Sequence, residues 1–268
     1  MGDTVTTRPV TVPDFLSARS RGQRLAMITA YDYSMARLLD AAGVDAILVG
    51  DSLGMVIQGH KTSLPVTLED IVYHTRCVVR GTQRALVVAD LPFMTYQVSI
   101  EQAITNAGRL VQEAGAACVK LEGGERMADR IAGIVRADIP VMAHIGLTPQ
   151  SVHRLGGFRV QRQEEALMND AIAVEQAGAF AVVLECIPSE IAARITQRLS
   201  IPTIGIGAGP SCDGQVLVCH DLLGLYAELR PRFVKHYAEL GGAVRDAVAA
   251  YCQEVRDGEF PTAQHSFQ

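Results

Sequence analysis

The chain has no tryptophan, aromatic residues make up only 5% of it, and its six cysteines form no CxxC pair. Cys77, Cys118, Cys186, Cys212, Cys219 and Cys252 are scattered, without zinc-site spacing, and read as reduced thiols of a cytosolic protein. There is no basic run, and the net charge is -5. That argues against nucleic acid as a partner, because phosphate binding needs a cationic face. No apolar run is long enough to span a bilayer, and the opening MGDTVTTRPVTVPD lacks the apolar core of a signal peptide. MGDTVT formally fits the myristoylation pattern, but with no second membrane signal it reads as a chance match. A soluble, cytoplasmic protein is the expectation.

What is there is a chain of 268 residues, 49% of them hydrophobic, enough for a single large core. Three segments echo one another: AAGVDAILVGD ending at Asp51, EAGAACVKLEG containing Glu122, and EQAGAFAVVLEC containing Glu185. Each opens where a helical pattern is closed by glycine, at Gly43, Gly115 and Gly178, since glycine best tolerates the left-handed conformation at a helix end. Each continues as an apolar strand and finishes with an acid.

Seven strands are clear: LAMITA, AILVGD, ALVVAD, ACVKLE, PVMAHI, AVVLEC and PTIGIG. VLVCHD at 216–221 is a weaker eighth. Helical periodicity fills the gaps, as in TLEDIVYHTRCVVRG and SIEQAITNAGRLVQEAG, with Thr67 and Ser99 as N-caps and a glycine at each end. Strands alternating with helices mean a parallel sheet. Eight in this length predict a (βα)8 TIM barrel, a single domain over 1–268 with an N-terminal extension. The competitor, a doubly wound sheet, is disfavoured by the lack of a clear GxGxxG after the first strand. The tail RPRFVKHYAELGGAVRDAVAAYCQEV reads as a helix closing the barrel, with FPTAQHSFQ as an extension that packs on a neighbour.

In such a barrel the C-terminal strand ends share one mouth. Asp51, Asp90, Glu122, His144 and Glu185 all fall at such ends. Carboxylates at close range repel unless a cation neutralises them or one is protonated. Asp51, Asp90 and Glu122 are therefore the candidate shell of a hard, oxygen-bound ion such as Mg²⁺, and zinc is disfavoured by the single imidazole and absent cysteines. Lys120 shares a strand face with Glu122, either as an ion pair or as a clamp for an anionic substrate or a developing enolate. Ser52 either donates to a carboxylate or caps the next turn. Glu185 is either a base for a carbon-bound proton or the partner of an arginine. His144 is either structural or a substrate contact. GIGAG at 205–209 is a weak ligand signal, more simply a tight strand-end turn. The polar stretch GLTPQSVHRLGGFRVQRQ, 146–163, is either an active-site flap or an ordinary surface loop.

The stretches TAYDYSMARLLDAAGVDAILVGDSLGMVIQGH, VVADLPFMTY, VKLEGG, HIGLTPQSV, GGFRVQ, VLECIP and IPTIGIGAG…CDGQVLVCHD closely resemble the ketopantoate hydroxymethyltransferase family, from about residue 10 to the terminal HSF. The resemblance implies a (βα)8 barrel that uses Mg²⁺ and 5,10-methylenetetrahydrofolate in pantothenate biosynthesis. It also implies a ring-like homo-oligomer, a decamer. Carried onto this chain, it implies Mg²⁺ on Asp51 and Asp90, with Glu122 in the coordination sphere directly or through water. It further implies that Asp51, Ser52, Asp90 and Lys120 contact 3-methyl-2-oxobutanoate and that Glu185 is the proton acceptor. Two other readings stand beside it. One is a Mg²⁺-dependent lyase or mutase of the phosphoenolpyruvate mutase and isocitrate lyase type, although the reactive cysteine loop expected there is not evident. The other is a barrel that binds a metal-chelated oxo acid without turning it over.

Overall fold

The apolar runs form eight strands: β1 (Leu25–Thr29), β2 (Ala46–Val49), β3 (Leu86–Asp90), β4 (Cys118–Glu122), β5 (Val141–Gly146), β6 (Ala181–Glu185), β7 (Thr203–Ile206) and β8 (Gly214–Leu217). They are seen in a computed structural model that describes residues 8–226 and 231–267. Each strand pairs in parallel with the next, and β8 pairs with β1, so the sheet closes into the expected barrel. The helices between strands start and stop where the sequence says. Thr67 and Asp70 form a reciprocal capping box before helix Leu68–Gly81, and Ser99 accepts the Gln102 N–H ahead of Ile100–Gln112. Gly43, Gly115 and Gly178 have φ of 89°, 81° and 95°, the left-handed turn that leads each helix into its strand. Gly81 differs from expectation. It lies inside the last helical turn with Thr82 as cap, and a side chain there would come within 2.6 Å of the Tyr33 carbonyl, so it serves helix packing.

The eighth strand also departs from expectation, starting two residues before VLVCHD and ending four residues sooner, at Leu217. Residues Cys219–Leu222 are a helical turn. The cause is the seam. Gly214 sits opposite Leu25, where a Cβ would come 2.6 Å from the Leu25 carbonyl, so the strand begins at a glycine that carries no apolar signal.

Side-chain parity builds the interior in layers. Leu86 and Val88 on β3, Cys118 on β4, Met142 on β5, and Ala181 and Val183 on β6 all join one buried cluster. Continuing the same alternation, the next inward positions are Asp90, Lys120, His144 and Glu185, and β4 adds Glu122 one step further. The barrel is thus apolar below and ionisable at the mouth. Its other end is covered by helix Val12–Ser20, whose Phe15 meets Phe180 edge-on at 5.9 Å. Burying that ring contributes roughly 1.5–3 kcal/mol. The MGDTVT pattern lies outside the described residues.

By its contacts the chain forms two compact units, one ending at Val218 and one beginning at Cys219. The barrel sheet is closed by β8 on β1. In the second unit residues 231–239 are not helical, and the helix is Leu240–Asp257, which has no buried residue. Phe260 packs on Tyr251 of that helix, so the terminal segment folds back on its own unit. Among the described residues no helix is long and apolar enough to cross a membrane.

Candidate active site

Strand register sets the mouth residues side by side. Asp90 on β3 pairs with Lys120 on β4, and Glu122 pairs with His144 on β5. Lys120 Nζ stands 2.8 Å from both Asp90 carboxylate oxygens. Asp51 lies just beyond β2, and its backbone N–H approaches Asp90 Oδ2 at 3.4 Å. Glu122 Oε1 is 3.7 Å from His144 Nδ1, and Glu185 Oε2 is 3.2 Å from His144 Nε2. The Glu185–His144 approach is off the angle a hydrogen bond requires, leaving both ring nitrogens without a partner among the described residues. Asp51, Asp90, Lys120, Glu122 and His144 are all buried, while Glu185 is partly open to the mouth.

Two residues that the sequence reading passed over organise this group. Gln150 is buried on a short turn, Pro149–Ser151, after β5. Its backbone N–H donates to Glu122 Oε2 at 2.9 Å, and its side-chain Nε2 donates to Asp51 Oδ2 and the Leu91 carbonyl, each at 3.0 Å. On the other side its Oε1 lies 2.7 Å from the Tyr96 hydroxyl and 3.2 Å from Gln97 Nε2. Acceptors on one side and donors on the other fix the orientation of the amide. Tyr96 also accepts from the Glu122 N–H and lies 2.9 Å from the Glu122 carbonyl. The only sequence trace of these roles was that PQS and MTY fell inside the stretches carrying the family resemblance. A glutamine and a tyrosine bear no chemistry that singles them out.

Ser52 neither donates to a carboxylate nor caps a turn. Its hydroxyl is 2.8 Å from that of Tyr31. The 146–163 segment is tied down at two points, by Gln150 inside the site and by the Gln161 N–H on the Cys186 carbonyl at 2.9 Å. GIGAG is a turn with Gly207 and Gly209 at positive φ, and no helix follows it directly.

Burial dominates the electrostatics. It pushes the Asp90 carboxyl up to about 7, with the nearby Asp51 charge adding to the rise and Lys120 opposing it. Glu122 is pushed well above the ordinary carboxylate range by burial and then by Asp51. Burial and the charge of Lys120 lower His144, so its imidazole is neutral. The carboxylates around Lys120 raise its ammonium over the cost of burial, and it stays charged. Burial and the adjacent Glu122 raise the Tyr96 phenol, which remains a donor.

One ammonium therefore faces three buried carboxylates, and the group is short of positive charge. The donors on offer are hard carboxylate oxygens, the type that suits a small divalent cation holding part of its water shell. Among the described residues no three His, Cys, Asp or Glu side chains enclose a metal by themselves. Glu185 closes β6, and the following Cys186 has φ of 49°, a turn unusual for a non-glycine residue that swings the chain away and leaves the carboxylate facing the mouth.

Comparison with known proteins agrees with this architecture. A family model described as ketopantoate hydroxymethyltransferase matches residues 9–263. The 3-methyl-2-oxobutanoate hydroxymethyltransferase of Pelobacter propionicus is 58% identical over 263 residues, covering 97% of this chain and 98% of that one. Those of Geobacter sulfurreducens and Moorella thermoacetica are 56% and 55% identical, each over 97% of this chain and 99% and 98% of theirs. Among solved structures, 2,3-dimethylmalate lyase superposes with a TM-score of 0.62 at 20% identity, covering 96% of this chain and 93% of that one. Phosphonopyruvate hydrolase in complex with oxalate and Mg²⁺ gives 0.61 at 14%, covering 95% and 93%. At that identity the likeness shows a shared barrel and nothing finer. The match along nearly the whole chain places it in the ketopantoate hydroxymethyltransferase family.

Proposed function

We propose that hydroxymethyl transfer to C3 of 3-methyl-2-oxobutanoate, giving ketopantoate as the first step of pantothenate biosynthesis, runs at this barrel mouth with Glu185 as the base. The one-carbon unit comes from 5,10-methylenetetrahydrofolate. Asp51 and Asp90 would hold Mg²⁺, with Glu122 reached through water. When bound, the ion supplies a Lewis acid that draws electron density from the 2-oxo group and acidifies the C3 proton.

The chain's own residues do the rest. Lys120, held charged beside Asp90, faces the 2-oxo acid and the negative charge that grows as the C3 proton leaves. Asp51, Ser52 and Asp90 line the same rim and orient the substrate. Glu185 takes the C3 proton, and neutral His144 beside it offers no competing positive charge. Gln150 and Tyr96 hold Asp51 and Glu122 in place without touching the reacting carbon.

One observation carries this reading: Asp51, Asp90, Lys120 and Glu122 form a single buried, linked group, with Glu185 on the same rim. The test is ketopantoate formation with and without 5,10-methylenetetrahydrofolate and with and without Mg²⁺. Product should require both. Turnover without the folate would point instead to lyase or mutase chemistry, and binding of the oxo acid without C3 exchange to a non-catalytic barrel.

We place the reaction in the cytoplasm, the compartment expected from cysteines that lack disulfide or zinc-site spacing in the sequence. We also propose a homo-oligomer, a decamer by the family resemblance; helix Leu240–Asp257 exposes Val244, Val248, Tyr251 and Val255 along one stripe, an apolar face of the kind that copies bury against each other. Light scattering measures the mass directly.

A further inference from the structure

Beside the carboxylate group lies a cavity of about 480 Å³ that shares Glu122 and Gln150 with it. Its size is in the range of small-molecule sites, roughly 300–1,000 Å³. One wall is apolar and partly exposed: Phe93, Met94 and Met127. At its rim stand two cations, Arg126 and Arg154, both exposed. Neither guanidinium has an ion pair among the described residues; burial raises the nearby Asp170 carboxyl, and the charges of Arg126 and Arg154 only partly oppose that rise.

The chain is shaped to make this wall. The double glycine after β4 is required sterically: a Cβ on Gly123, at φ 127°, would meet the Met127 side chain at 2.6 Å, and one on Gly124 would strike the Asp170 carboxylate. Removing both side chains lets the turn Glu125–Met127 fold tightly over the strand end, bringing Arg126 and Met127 to the cavity. Across it, Met94 has φ of 66°, a left-handed conformation that a methionine rarely adopts. A strained backbone kept at a cavity wall is a common mark of a binding site.

We propose that this cavity seats the one-carbon donor of the reaction: a flat heteroaromatic ligand with a carboxylate-bearing tail. The ring system lies against Phe93, Met94 and Met127, and Gln97 and Ser151 face its polar edge. The tail runs outward to Arg126 and Arg154, whose planar donors match carboxylates. The one-carbon bridge, which joins the ring system to the start of the tail, then lies along the wall that includes Glu122 and Gln150, next to the oxo acid. The assignment rests on the function proposed above and adds the residues that select its second substrate.

The experiment titrates the intact enzyme with tetrahydrofolate by calorimetry, in wild type, Phe93→Ala and the double variant Arg126→Ala/Arg154→Ala. C3 proton exchange of 3-methyl-2-oxobutanoate is followed in the same samples without folate. Wild type should bind, and the double variant should bind about fivefold more weakly, as expected for two solvent-screened charge pairs. Raising the salt concentration should weaken wild type more than the double variant. Phe93→Ala should lose a similar factor with no change in salt response. The exchange reaction, which needs no folate, should stay within twofold of wild type and shows that each variant is folded. Unchanged tetrahydrofolate affinity in both variants, or no binding by wild type, overturns the assignment. Loss of C3 exchange in wild type would instead overturn the functional reading beneath it.

Discussion

Lys120 and Asp90 face each other across the β3–β4 seam as a buried ion pair, with Nζ 2.8 Å from both carboxylate oxygens. The pair is formed by strand register, not by chain proximity, and it sits where the barrel core gives way to its mouth. Removing one partner of such a pair leaves the other charge buried alone, at a cost of roughly 3–5 kcal/mol. Lys120→Met should therefore lower the unfolding free energy by about that amount in urea and reduce kcat/KM by at least about a hundredfold. Asp90→Asn in a Lys120→Met background should recover part of the stability and none of the activity, because the charge, not the volume, is at issue.

Glu185→Gln keeps the shape of the base and removes its ability to take a proton. The variant should bind 3-methyl-2-oxobutanoate within a few-fold of wild type, yet exchange its C3 proton roughly 10²–10⁴-fold more slowly, the usual worth of a positioned base. Deuterium uptake followed by NMR reads this directly. Exchange at the wild-type rate would remove Glu185 from the base role.

Gln150 positions carboxylates that it does not replace. Gln150→Ala should strand the Asp51 and Leu91 acceptors and cost about 1–3 kcal/mol for each buried group left unsatisfied. The expected signature is a lower kcat with weaker Mg²⁺ affinity, read by metal titration of turnover. A variant with normal Mg²⁺ affinity and reduced stability alone would make Gln150 a folding residue only.

The raised carboxyls give a pH dependence of definite sign. Asp90 titrates at about 7 in the folded, metal-free chain against an ordinary value of 3.8, and Glu122 is raised as well. Between those values the folded state holds a proton that the unfolded chain has released. The contribution is fully present below about pH 4 and is lost as the pH rises through about 7. A divalent ion competes with that proton, so its stabilising effect grows over the same window. Melting temperatures in EDTA and in Mg²⁺ should differ more at pH 8 than at pH 5. An equal difference at both would mean that the ion does not displace these protons.

Gly146 ends β5 opposite Glu185 with φ of 93°, and a Cβ there would lie 2.4 Å from the Glu185 carbonyl. Gly146→Ala should cost about 1–3 kcal/mol in backbone strain. It should also lower kcat, because the strand end carrying the base must shift. Urea unfolding and steady-state kinetics on the same preparation separate the two effects.

Much of this was legible in the chain, for local reasons. Apolar strand runs, capping residues and left-handed glycines act within a few residues, so seven strands and the helices flanking them could be read directly. The same logic misplaced β8, because Gly214 at the seam is explained by Leu25, far away in sequence, and it overextended the final helix across residues 231–239. Parity along β4 put Lys120 and Glu122 on one face from sequence alone. That Lys120 takes Asp90 as its partner required the β3–β4 register.

By itself the sequence determined the barrel, its family and the ionisable strand ends, since each is encoded by short-range periodicity or by residue type. Only the tertiary structure decided which of those groups meet, that Gln150 and Tyr96 bind them together, and that a cavity walled by Phe93 and Met127 lies alongside. Such relationships join residues tens of positions apart through strand register and close packing. Neither leaves a mark on any one stretch of chain.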